Sequence, residues 1–238
     1  MTIFRNAVLL AALAGLLAGL AMALMQGFTT VPLIVEAEAY EVAAPHDHAA
    51  APAAEAKDHE AEAWAPQDGL SRVFFTTLAN VVTAIGFALL LVVASELAGG
   101  IADWRQGMFW GLAAFVVVVV APGLGLPPEL PGMPAAEIAA RQTWWIGTAI
   151  ATAAGLALIL LGRGAPMAVV GVALLVAPHL VGAPQPPSHD TDVPADLHQR
   201  FVVLVTVTNL VFWLLLGALV GAFRQRFATG PDLRARPV

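Results

Sequence analysis

The chain has 238 residues, 59% of them hydrophobic and only 12% charged, with 11 Lys and Arg against 17 Asp and Glu and no Cys. Soluble domains run nearer half apolar and a quarter charged, so this composition excludes an ordinary soluble enzyme and a disordered chain alike. Without Cys there is no disulfide framework, thiolate zinc site, iron–sulfur cluster or Cys nucleophile.

Charge is absent from six windows, 6–35, 73–95, 106–128, 142–162, 164–188 and 201–223, each 21 to 30 residues long. About 20 apolar residues carry a helix across a bilayer, and a helix satisfies its own backbone there. The expected fold class is an all-α integral membrane protein with six transmembrane helices. The first window starts after Arg5 and runs to Val35, too long for the core of a secretory signal, and residues 1–35 are read as a retained first span.

Residues 36–71 follow as one long acidic outer loop. Nine acids and a single Lys lie between Glu36 and Asp68, together with His46, His48, His59 and many Ala. This composition has no core-forming pattern and predicts disorder. His46, Asp47 and His48 sit together, and His59 lies among Asp58, Glu60 and Glu62. Imidazole with carboxylate suits borderline divalent metals such as cobalt, nickel and zinc, while a solvating spacer would have the same composition. The spacing matches no rigid site, so binding there is expected to be weak.

Residues 72–223 are expected to form a membrane core of five further helices. Thr76, Asn80 and Thr83 share one face of the second window, Thr148 lies in the fourth and Asn209 in the sixth. Polar groups in such helices bond to a neighbouring helix or line a wet cavity, and these five form a candidate polar path. At the end of the third window, Leu126-Pro-Pro-Glu-Leu-Pro-Gly132 presents Glu129 on a backbone stiffened by three prolines. The fifth window is the weakest, since its strongly apolar part is only Met167–Val181 with Pro178 inside it; it reads as a short span or a re-entrant segment. His179 follows that Pro, and His189, Asp190 and His198 lie beyond it. A loop folded back would bring these groups to His179. The candidate metal ligands are therefore His179, Glu129, His189, His198 and Asp190, with His46, His48 and His59 on the acidic loop.

A basic tail, 224–238, closes the chain. With the amino terminus inside, seven of the 11 cations fall inside and four outside, as the positive-inside rule prefers. Both termini are then cytoplasmic. Fourteen of the 17 acids and all six His fall on the outer side, a result that did not enter the threading.

The three outer loops end alike. Asp68 precedes Arg72, Glu137 precedes Arg141 and Asp196 precedes Arg200, each acid four residues before its Arg and each pair shortly after a Pro. Pro and an acid suit a helix start, and an acid and Arg at this spacing can pair. Three occurrences suggest one helical hairpin used three times. No phosphate-binding loop, hydrolase or metalloprotease motif occurs, and no basic patch suggests nucleic acid. The chain reads as a non-enzyme.

The stretch Leu126-Pro-Pro-Glu-Leu-Pro-Gly-Met-Pro-Ala-Ala-Glu137, followed by Arg141-Gln-Thr-Trp-Trp145, resembles the signature of the CbtA family of probable cobalt transporter subunits. Ala177-Pro-His-Leu-Val-Gly-Ala-Pro-Gln-Pro186, followed by Val193-Pro194 and Phe201, resembles that family's second characteristic stretch. The likeness runs over most of the chain apart from the acidic loop. It implies a cobalt importer subunit linked to cobalamin biosynthesis and paired with a small His-containing, CbtB-like membrane subunit. Co²⁺ would be cargo, with no resident cofactor. The family is usually drawn with five spans, and it supplies no ligand residues. The expected function is a subunit of a divalent metal uptake transporter in the bacterial cytoplasmic membrane. The alternative is a non-transporting scaffold or metal-buffering accessory subunit.

Overall fold

A computed structural model describes residues 2–43 and 69–227, and every described element is helical. The helices are α1 (Thr2–Phe28), α2 (Thr30–Ala43), α3 (Leu70–Leu97), α4 (Trp104–Phe115), a π-helical turn (Val116–Val120) leading into the short α5 (Ala121–Gly123), α6 (Ile138–Leu161), α7 (Ala165–Val181) and α8 (Ala195–Phe227). Five segments are long and apolar enough to cross a membrane: Phe4–Phe28, Leu70–Leu97, Trp104–Gly123, Ile138–Leu161 and Ala195–Arg226.

The fifth charge-free window differs from expectation. Of its 25 residues, only the 17 of α7 are helical. Gly182, at φ 82°, ends the helix, and Pro184, Pro186 and Pro187 cannot resume it. Seventeen residues rise about 25 Å, just short of a hydrocarbon core of about 30 Å. The first window also divides. Pro32 has no N–H for the carbonyl of Phe28, four residues earlier, and the helix breaks at Thr29. Pro32 lies on the exposed side, so α2 leans the other way, over the bundle. Helix then persists through Ala43, well into the stretch expected to be loop from Glu36.

Glycine decides which helices pair. A Cβ on Gly15 would lie 2.5 Å from the Ile85 backbone, and one on Gly19 would lie 2.6 Å from Val81, so α1 and α3 touch backbone to backbone. Gly107 and Gly217 meet reciprocally, each Cβ position 2.1 Å from the other's carbonyl oxygen, which seats α4 on α8. Gly155 and Gly171 do the same for α6 and α7 at 2.7 Å. Small residues are what allow such approach between helices in lipid. The predicted set of three sequential hairpins is therefore met only by its first member. In place of an α4–α6 hairpin and an α7–α8 hairpin, α4 packs on α8 and α6 on α7. The bundle of α1, α3, α4 and α8 encloses the main core, including Phe212, Trp213, Leu216 and Val220, and the α6–α7 pair attaches through the π turn and α5.

The ends of the bundle are distinct. At the cap end, Leu33 and Ala37 of α2 pack on Leu130, Val193, Leu197 and Phe201, a second core built from α2, the segment after α5 and the start of α8. At the tail end, Arg224 bonds the Ile101 carbonyl and pairs with Glu96 at 2.7 Å, while Gln225 donates to the Ala102 carbonyl at 3.0 Å. The end of α8 thus clamps the α3–α4 turn, where Gly99 and Gly100 have φ of 98° and 88°.

Candidate functional site at the cap

Buried Leu130 anchors the proline-rich segment after α5 in the cap core, which leaves Glu129 beside it at the surface of α6. The Glu129 carboxylate meets Arg141 at 2.8 Å, with about a quarter of each side chain exposed. This acid is therefore already neutralised. At the two loop ends whose acid and Arg are both described, Glu137–Arg141 and Asp196–Arg200, the spacing is not realised as an ion pair within one helix. Glu137 instead caps α6, accepting from the N–H groups of Ala139 at 2.9 Å and Ala140 at 2.7 Å. Those two bonds hold its carboxyl below the ordinary value of 4.5. The free N–H groups of a helix start compete well for a carboxylate, which releases Arg141 to Glu129. Arg72 likewise forks onto Glu38 of α2, while Asp196 and Arg200 form no ion pair among the described residues. Asp68 lies outside the described residues.

His198, in the first turn of α8, places Nε2 3.1 Å from the Pro128 carbonyl. A carbonyl only accepts, so Nε2 is the donor, which leaves Nδ1 as the ring nitrogen turned away from this bond. Fixing one ring nitrogen on a carbonyl is how metal-binding imidazoles are commonly oriented. His179 stands edge-on to Trp144 with ring centroids 6.0 Å apart, and the Trp144 indole donates to the Pro178 carbonyl at 3.3 Å. Gly125 leaves room for that indole, since a Cβ there would fall 2.4 Å from it. His189 and Asp190 are exposed on the segment after α7, where the Ser188 hydroxyl donates to Asp190 at 2.9 Å. Thr191 ties this segment to the Gly132 carbonyl at 3.0 Å.

The structure thus brings Glu129 and His198 to the same proline-rich segment, with His179 further along, beside Trp144. It does not gather the expected cluster: among the described residues no three His, Asp or Glu side chains meet as a metal site. Glu129, His198 and His179 are each taken up by a different neighbour, Arg141, Pro128 and Trp144, while His189 and Asp190 stay exposed. His46, His48 and His59 lie outside the described residues.

Beneath the cap, one residue of the expected polar path meets a partner on another helix. Asn80 donates to Gln26 of α1 at 2.7 Å. Thr29, at the α1–α2 break, stands 3.4 Å from the buried Thr208 of α8. Gln26, Thr29 and Thr208 were missed in the sequence, although each is a polar residue inside a charge-free window, the same signal that marked Asn80. Thr76 and Thr83 lie on the exposed side of α3, and Asn209 donates to its own helix at Val205. Thr148 of α6 is buried.

Long apolar helices joined through glycine contacts, with ion pairs confined to their ends, define a polytopic α-helical membrane protein. A family model described as "Probable cobalt transporter subunit (CbtA)" matches residues 4–225, and the chain belongs to that family. Comparison with curated proteins and with solved structures returns no match.

Proposed function

We propose that the chain is the membrane subunit of a Co²⁺ uptake system in the bacterial cytoplasmic membrane, working with a small His-containing, CbtB-like subunit. Family membership over nearly the whole chain carries the reading. The cap end faces outward, and both termini are cytoplasmic. Six crossings are supported by α7, which returns antiparallel to α6 until Pro178 and His179 stand beside Trp144, near the start of α6. A slight thinning of the bilayer or tilt of neighbours accommodates its length.

Metal is first concentrated by the acidic His46, His48 and His59 stretch, then handed to the cap, where His198, His179, His189 and Asp190 offer imidazole and carboxylate. Glu129 joins only if Arg141 releases it. Passage then runs by neutral groups, with Asn80 and Thr148 among them. A second reading, a scaffold or metal-buffering subunit, is favoured by one observation: no three-ligand group forms among the described residues. In that case the partner supplies the ligands.

Radiolabelled Co²⁺ uptake in an import-deficient bacterium separates the two. This chain, its partner and the pair are expressed in turn. Saturable uptake that requires this chain, and that His179→Ala or His198→Ala weakens at unchanged abundance, is the expected result. Uptake by the partner alone, indifferent to this chain, would establish the scaffold reading. No uptake in any combination, with both proteins in the membrane, would end the cobalt assignment.

A further inference from the structure

Among the described residues, two buried side-chain polar atoms lack any hydrogen-bond partner, and they are neighbours: the hydroxyls of Thr148 and Thr152. Their residues are 1% and 0% exposed. Other helical threonines here behave differently. Thr143 and Thr206 each donate to a carbonyl four residues back, at 2.7 Å. A hydroxyl sealed in apolar surroundings without a bond is unfavourable, and Val would fill the same space without that penalty.

The hydroxyls have a definite location. Trp144, Thr148, Thr152 and Gly155 fall at helical spacing along one ridge of α6. Both ends of the ridge rest on α7. Trp144 bonds the Pro178 carbonyl at 3.3 Å, and Gly155 meets Gly171. The ridge that carries the two threonines is thus anchored at both ends on the part of α7 between Gly171 and Pro178, where residues 172–177 have no polar side chain. One backbone acceptor there has lost its donor, because Pro178 has no N–H for the Leu174 carbonyl. Two hydroxyls and one carbonyl match the roughly three partners of a typical buried water.

We propose that Thr148, Thr152 and the Leu174 carbonyl form a neutral-oxygen site in the α6–α7 interface that holds water and, through that water, a divalent cation in transit. The cation part rests on the uptake function proposed above. Neutral oxygens cannot replace the hydration of a divalent ion outright, so the ion keeps part of its water shell. Ligands without charge also let it go, which transit requires and tight storage does not. The site is distinct from the cap, and it assigns a role to the α6–α7 pair, which contributes little to the main core.

The chain has no Cys, so single thiols report cleanly. Thr148→Cys, Thr152→Cys and a lipid-facing control, Ile150→Cys, are made in the full chain in native membrane vesicles. Each is exposed to Ag⁺, a small thiol-reactive cation that needs a hydrated route, and free thiols are counted by alkylation after unfolding. Both ridge thiols should react at least tenfold faster than the control, and Co²⁺ should slow them several-fold. Reaction no faster than at Ile150→Cys overturns the site. Reaction without Co²⁺ protection overturns the cation role. Neither readout needs transport, so both stand even if wild-type uptake is absent and the proposed function fails. Where uptake is present, Thr148→Val/Thr152→Val should lower it about tenfold per unit of membrane protein without lowering the melting temperature. Thr148→Ser/Thr152→Ser should retain it. Wild-type uptake by the double valine variant would also overturn the proposal.

Discussion

The α4–α8 contact offers the sharpest test of what holds the bundle together. Gly107 and Gly217 face each other so closely that a Cβ on either lies 2.1 Å from the other's carbonyl oxygen, where ordinary contact begins near 3.4 Å. Gly217→Ala must therefore open the interface by about 1.3 Å, the difference of those two distances. Contacts opened by 0.5–1 Å already forfeit roughly a quarter to a half of their dispersion energy. Buried Trp213, Leu216 and Val220 lie along the same α8. The expected destabilisation is about 2–3 kcal/mol, the upper part of the overpacking range. Gly147→Ala is the matched control, because nothing lies within 4 Å of its Cβ position. It should be neutral, or stabilising by up to about 1 kcal/mol through helix propensity. Steric trapping in bicelles measures both unfolding free energies in a bilayer-like medium. If Gly217→Ala proved as stable as Gly147→Ala, the glycine contact would not be the determinant of α4–α8 pairing.

Other expectations follow from the ends of the bundle. Glu137 is held below its ordinary value of 4.5 by the Ala139 and Ala140 amides, so its contribution is complete above about that pH and is lost as pH falls through the lower folded-state value. Glu137→Gln should therefore be less stable than wild type at pH 7 in thermal melts, with the gap closing on acidification; a gap constant down to pH 3 would contradict the cap. At the tail end, Gly99 and Gly100 both have positive φ, but only Gly100 also lies against the Arg224 guanidinium. Gly100→Ala should cost more than Gly99→Ala, which bears only the backbone strain of about 1 kcal/mol, and equal melts would remove the clamp from consideration. For the Glu129–Arg141 pair, either neutral variant should lose up to about 1 kcal/mol, as partly exposed pairs do. The exchange Glu129→Arg/Arg141→Glu should recover part of that, and no coupling in a double-mutant cycle would show the pair to be incidental.

Much of the site was legible only as a list of groups. The cap histidines, Glu129 and Asn80 stand out because ionisable and amide side chains are rare around charge-free windows. Their partners do not stand out. Glu129 lies beside Arg141 only because Leu130 is buried in the cap and the α6 amides claim Glu137. His198 finds the Pro128 carbonyl across 70 positions of chain. Gln26, Thr29 and Thr208 carried the same signal as Asn80 and were legible, but the pairs they form were not.

Hydropathy determined most of the architecture from the sequence alone. Burial in lipid is a property of each residue, so unbroken apolar runs located the long membrane helices and excluded a soluble fold. Pro32 and Gly182 also act locally, on their own backbones, but the charge-free windows ran across both, so the α1–α2 break and the early end of α7 emerged only in the structure. Tertiary structure alone decided that α4 pairs with α8, that α6 pairs with α7, and that α2 leans onto the cap. Those outcomes depend on which glycine faces and which charged ends meet between segments far apart in the chain. Apolar helices are nearly interchangeable toward lipid, so hydropathy gives no preference among partners. Close backbone approach does, and it exists only once the helices are assembled.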